Sequence, residues 1–254
     1  MRGLLPVLLL LCGAAASAAP IEFHDTMAQR TLACTACHGR EGRAGPDGYY
    51  PRIAGKPAGY LYNQLLHFRE GRRHYGLMAG LLETLSDDYL ADIARHFAAQ
   101  DVPYPPPVKA NVPPETLERG ERIVTQGDAD RRLPACTSCH GKALTGANPN
   151  VPGLLGLPRD YLNAQLGAWR TGQRRALAPD CMAEIARRLT PEDLSAATAW
   201  LSSQALPANA HPVAAETPAA PARHRGRKAQ PAPAPEAPPM RCGAAALPAA
   251  GSAR

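Results

Sequence analysis

Aromatic residues are scarce in this chain. Three Phe, two Trp and eight Tyr make up only 5% of 254 residues. That is thin for the cores such a length buries, and a bound apolar group filling core volume is one way to make up the deficit. Beyond the N-terminus no stretch holds the about 18 consecutive apolar residues that a membrane span needs. No glycine-rich nucleotide loop, no catalytic-triad arrangement and no period-two strand alternation occurs, which argues against nucleotide-binding, triad-hydrolase and sheet-based classes. A broad basic face is missing too. The formal charge is +6, but the segment from Ser203 onward contributes +4 and Arg2 another +1. The remainder is nearly neutral, so nucleic acid is not a partner.

Proline, by contrast, is abundant, with 27 residues. Many lie between Gln100 and Pro114 or beyond Leu206, where they mark a linker and a tail. The N-terminus carries Arg2, an apolar run from Leu4 to Leu11 and small residues at Ala16-Ser17-Ala18, the pattern of an export signal over residues 1–19. Cys12 falls within it, and Leu11 before it is too large for a lipidation site. The expected location is the periplasm.

Six cysteines remain. Cys34, Cys37, Cys136 and Cys139 form two C-x-x-C pairs, each followed at once by His and Gly: Cys34-Thr35-Ala36-Cys37-His38-Gly39 and Cys136-Thr137-Ser138-Cys139-His140-Gly141. A disulfide framework is the ordinary reading in an exported chain, and zinc or a redox dithiol are competitors. The histidines argue for C-x-x-C-H haem attachment instead. Two thiols on one helical turn add across the porphyrin vinyl groups, and the next residue projects its imidazole beneath the ring toward iron.

The chain is a duplication. The motifs are offset by 102 positions; Pro51/Pro152, Gly55/Gly156, Tyr60-Leu61/Tyr161-Leu162, Gln64-Leu65/Gln165-Leu166 and Phe68-Arg69/Trp169-Arg170 are offset by 101; Met78/Met182 and Leu85-Ser86/Leu189-Thr190 by 104. Of five methionines, Met1 and Met27 precede the first motif and Met240 lies in the tail. Met78 and Met182 are left, one per repeat in matching places, and are the expected sixth ligands of two low-spin irons. Core filling is the competing role of each. His74, four residues before Met78, is a weaker candidate and reads as a surface residue; His67 and His96 have no histidine counterparts in the second repeat. Cys181 aligns with Leu77 and reads as packing, with a thiolate ligand as its alternative; Cys242 reads as a free or intermolecular thiol.

The expected fold is all-α: two tandem cytochrome c-like helical haem domains with a disordered Ala/Pro-rich tail. Helices are expected at Thr26–Cys34, Pro57–Glu70 and Asp87–Ala99, then at Pro114–Gln126, Pro158–Thr171 and Pro191–Ser203. Each ring is expected between the first and last helices and a methionine loop. The divisions are 20–101, a linker 102–113, 114–204 and a tail 205–254. The basic cluster Arg223 to Lys228 reads as solvated, or as a contact to a membrane surface or acidic partner.

Together these pieces resemble the dihaem cytochrome c4 family over about residues 25 to 204. The likeness is carried by C-T-A-C-H-G, Tyr50-Pro51-Arg52-Ile53-Ala54-Gly55-Lys56, Tyr60-Leu61-x-x-Gln64-Leu65, Phe68-Arg69-x-Gly71-x-Arg73, the Met78 segment and Leu85-Ser86-Asp87-Asp88. Lys56 and Leu157 depart from it, standing where the family often has glutamine. The resemblance implies two covalent haem c groups and electron transfer with a terminal oxidase or an upstream quinol-oxidising complex. It also implies that the Pro51 and Pro152 carbonyls orient His38 and His140. Irons with both axial sites filled suit an electron carrier rather than an enzyme. The alternative is a dihaem enzyme or dehydrogenase cytochrome subunit, of the peroxidase or thiosulfate dehydrogenase type.

Overall fold

Proline and short polar caps start the helices in both repeats. The computed structural model describes residues 24–45, 48–214 and 241–250. The first repeat holds α1 (Met27–Arg30), α2 (Leu32–His38), α3 (Ala58–Arg69), α4 (Gly76–Leu82) and α5 (Asp87–Ala98). The second holds α6 (Pro114–Thr125), α7 (Thr137–His140), a two-residue hairpin of β1 (Gly146–Ala147) with β2 (Val151–Pro152), then α8 (Arg159–Arg170), α9 (Cys181–Arg188) and α10 (Pro191–Ser203). Pro57 precedes α3 and Pro158 precedes α8, where a fixed φ suits the helix entry. Ser86 Oγ accepts from Tyr89 N at 3.3 Å and caps α5. Thr190 and Asp193 form a reciprocal capping box at α10, with backbone-to-side-chain distances of 3.1 and 3.3 Å.

The all-α expectation holds, with the hairpin as the one small sheet among the described residues. The helix expected over Thr26–Cys34 is instead two, meeting at Thr31. Its hydroxyl donates back to Met27 O at 2.6 Å, a bond that competes with the helical ladder and bends the chain there. The methionine segments are not loops: Met78 sits mid-way along α4 and Met182 is the second residue of α9. Asp180 starts the latter, its carboxylate accepting from Ala183 N at 3.0 Å.

Each repeat has its own apolar cluster. Leu66, Phe68, Leu82, Leu90, Ile93 and Phe97 anchor the first. Ile123, Val124, Leu133, Leu162, Leu189 and Leu201 anchor the second. In the second, Asp193 is only 1% exposed and its carboxylate is held by Arg119 at 2.8 Å and Arg131 at 2.5 Å. Burial pushes the Asp193 pKa up, but these donors outweigh it and bring it to about 2. The start of the proline-rich stretch that follows the first repeat is held in place. Arg52 donates to the carbonyls of Val102 and Pro103 and stacks 3.8 Å over the Tyr104 ring.

Two described stretches beyond the second repeat, 205–214 and 241–250, make defined contacts. Val213 joins the hairpin, donating to Gly146 O at 3.0 Å and accepting from Asn148 N at 2.8 Å. Ala245 and Leu247 pack on the first apolar cluster. Cys242 is neither a free nor an intermolecular thiol: it forms a disulfide with Cys181, 61 residues earlier. The chain folds back after the second repeat, so two cysteines distant in sequence meet. The export segment over 1–19 and the basic cluster Arg223 to Lys228 lie outside the described residues.

Candidate functional site

Each C-x-x-C-H run ends a short helix. Cys34 and Cys37 lie within α2, which terminates on His38; Cys136 is the residue before α7, which holds Cys139 and ends on His140. The next residue turns away in both places: Gly39 has φ +74° and Gly141 φ +82°, the left-handed region glycine enters without steric cost. Both histidines are buried. His38 Nδ1 lies 2.9 Å from Pro51 O, and His140 Nδ1 lies 2.7 Å from Pro152 O. A carbonyl only accepts, so Nδ1 is the protonated nitrogen and Nε2 keeps its lone pair for a metal. Burial lowers the pKa of both imidazoles, against the opposing effect of the proline carbonyls, and favours the neutral, ligating form.

All four motif thiols are unpaired, which leaves them available for covalent addition and gives no support to a disulfide framework at these positions. Burial raises the pKa of Cys34 and Cys139 and pushes Cys136 up to about 11, so these sulfurs are neutral thiols. Among the described residues no group of three His, Cys, Asp or Glu side chains is placed to hold a metal ion directly. Two thiols on one turn, an imidazole with a free Nε2 and a thioether in the same repeat are the donor set of a covalently held haem. The residues present fit that group.

The methionines are placed differently. Met78 packs on the first cluster, as Cys34 does. Met182 is half-buried at the start of α9, between buried Cys181 and Ala183. His74 is exposed, as the sequence suggests. His67 is buried with no partner at Nε2, and burial, with Arg72 and Arg174 nearby, pushes it down to about 4. The thiolate alternative for Cys181 is closed by the disulfide.

Two groups of residues at the repeat interface escaped sequence reasoning. Lys56, on the first repeat, is 5% exposed and donates to Gly153 O at 3.1 Å, next to the proline that holds His140. Burial pushes it down to about 8. Its counterpart is apolar Leu157, which cannot make the matching bond on the His38 side. The second group is Arg73 and Arg174 with Gln64 and Gln165. Arg73 donates to Gln64 at 2.9 Å and Gln165 at 2.7 Å; Arg174 donates to Gln165 at 2.7 Å and Gln64 at 2.8 Å. Each guanidinium also lies over an aromatic ring of its own repeat, Phe68 at 4.4 Å and Trp169 at 3.8 Å. The available signal was the recurrence of the same polar residues in both copies.

No protein-family model matches the chain. The thiosulfate dehydrogenase electron acceptor of Thiomonas intermedia is 35% identical over 176 residues, covering 68% of this chain and 79% of that one. The cytochrome c4 of Pseudomonas aeruginosa is 33% identical over 174 residues, covering 68% and 84%. Among solved structures, reduced cytochrome c4 from Pseudomonas stutzeri aligns with a TM-score of 0.60 at 29% identity, covering 70% of this chain and 96% of that one. The thiosulfate dehydrogenase of Marichromatium purpuratum aligns with a TM-score of 0.61 at 31% identity, but the match spans only 36% of that longer chain. Duplicated C-x-x-C-H helices, carbonyl-held histidines and these likenesses agree: the chain belongs to the cytochrome c4 family, dihaem c-type cytochromes that carry electrons on two covalently bound haem c groups.

Proposed function

We propose that Cys34 and Cys37 would hold one haem, with His38 and Met78 as its iron ligands, and that Cys136 and Cys139 would hold the other, with His140 and Met182. The two haem domains are then 20–101 and 114–204, joined by 102–113. The observation that carries this reading is the histidine geometry: in both repeats Nδ1 is committed to a proline carbonyl and Nε2 is left to bind iron. Bound haem would supply reversible one-electron chemistry; the protein's part would be to attach it through the thiols, orient the imidazoles and offer iron an unreactive thioether. With no exchangeable site, the chain passes electrons between partners rather than transforming a substrate. The export-signal pattern in the N-terminal sequence supports the periplasm as the place of this work.

The donor we favour is an enzyme that oxidises a small sulfur oxyanion. A relative 35% identical is named for that role, as the electron acceptor of thiosulfate dehydrogenase. A terminal oxidase is the acceptor consistent with the carrier reading. The test is to purify the exported protein, stain a denaturing gel for haem, and record spectra with and without carbon monoxide. Two haems per chain, both low-spin and inert to carbon monoxide when reduced, are expected. A readily carbonylated centre would overturn the carrier assignment in favour of an enzyme. Mixing with a thiosulfate dehydrogenase and thiosulfate then tests the donor: fast haem reduction is expected, and none on that addition would remove it.

A further inference from the structure

The disulfide stands where the two repeats differ most. Leu77 and Cys181 occupy matching positions just before the two methionines, yet Leu77 is 70% exposed and Cys181 only 9%. Cys181 is bonded through Cys242 to the segment 241–250. Its Gly243 N donates to Pro179 O at 2.9 Å. The approach is close: a Cβ on Gly243 would stand 2.3 Å from Ala178 O and 2.5 Å from Leu177 O. The segment therefore lies directly on the residues leading into α9.

The other end of the segment is fastened to the first repeat. Ala245 N donates to Asn63 Oδ1 at 2.8 Å, and Asn63 Nδ2 donates back to Ala245 O at 3.0 Å. Asn63 is buried on α3. Arg95 of α5 donates to Pro248 O, and Ala245 and Leu247 sit on the first apolar cluster. A few residues thus run from the start of α9 to two helices of the other repeat. Among the described residues, α4 has no such covalent tie.

We propose that the Cys181–Cys242 disulfide and the segment it anchors position Met182, so that methionine ligation at the second haem depends on this clasp while ligation at the first does not. The proposal rests on the reading that Met182 is the axial ligand. A thioether binds ferric iron weakly, so a restrained backbone at Cys181 favours the bound state over release of the helix start. Cys181 and Cys242 are positioning residues; neither touches the iron.

The test uses the full-length holoprotein with Cys181→Ala and Cys242→Ala together, which leaves no stray thiol to ligate. Haem content should stay at two per chain. The far-red ferric band diagnostic of methionine–iron bonding should fall to roughly half its intensity, one of the two midpoint potentials should drop, and the other should not move. A full band with both potentials unchanged would overturn the proposal. Met182→Ala with the disulfide intact separates the two readings: a full band there means Met182 is no ligand, whatever the clasp does. Should the double alanine variant not accumulate, the wild-type disulfide is cleaved with a dithiol, the thiols are alkylated and the haems reoxidised. The same half loss supports the clasp, and an undiminished band refutes it.

Discussion

Arg73 and Arg174 pair backbone to backbone in an antiparallel bridge, each the other's counterpart in the duplication. On either side, His74 N donates to Gln173 O at 3.0 Å and Arg175 N donates to Arg72 O at 2.7 Å, again counterparts. The contact has a local two-fold relation, and both guanidinium groups share both glutamine carbonyls. Arg174 is 4% exposed, and Arg73 less deeply buried. Arg174→Ala should therefore cost about 2 kcal/mol, through lost charge-assisted hydrogen bonds and the lost ring contact. Arg73→Ala should cost less. The double variant should fall short of the sum, because the two residues share acceptors. Denaturant unfolding of the three variants measures this.

His67 gives the fold a dependence on mild acid. Its folded pKa of about 4 lies below its ordinary value of 6.5, so over that window the unfolded chain binds a proton and the folded chain does not. Stability should therefore decline as pH falls from about 6.5 to 4. His67→Phe, which keeps an aromatic ring there without the titrating nitrogen, should flatten this part of a melting temperature against pH curve. An unchanged slope would show that His67 is not its source.

Asp193 acts lower on the scale. Held at about 2 by Arg131 and Arg119, it contributes stability above the ordinary carboxylate value and loses it as pH falls toward 2. Asp193→Asn should destabilise the protein by about 2 kcal/mol at neutral pH, since both arginines lose a charged acceptor and the α10 capping box is weakened. Melting at pH 7 and pH 2 should converge between variant and wild type at the lower value.

Lys56 bears on the two centres unequally. Its ammonium lies beside the Pro152–Gly153 segment, and with iron held at His140 as proposed, a positive charge there would oppose its oxidation. Lys56→Gln should lower the second midpoint potential at pH 7 more than the first. Redox titration followed by optical spectroscopy reads both. Equal shifts in the two centres would show that Lys56 does not discriminate between them.

What could be read from the sequence is what local rules dictate. Cys34, Cys37 and His38 announce themselves because their C-x-x-C-H spacing is itself the signature of haem attachment. Helices such as α3 and α10 announce themselves by Pro57 and by the Thr190-Pro191 start. The Cys181–Cys242 link was beyond reach, because connectivity between cysteines 61 apart depends on where the tail returns. Aligning Cys181 with Leu77 even pointed away from it. The small helices α4 and α9 were hidden for a related reason: seven and eight residues are too few for a reliable apolar period. Lys56 looked like a departure from a family pattern, and only the neighbouring repeat reveals what it meets.

The pairing of Arg73 with Arg174 has one further consequence. A face that meets its own copy through a two-fold relation is the face of a homodimer subunit, and here both subunits lie on one polypeptide. Association that would otherwise depend on concentration becomes intramolecular, with a short linker setting an effective concentration of order millimolar or above. The duplicated chain is in that sense an encounter complex that never dissociates. An electron arriving at either half finds its next site already docked.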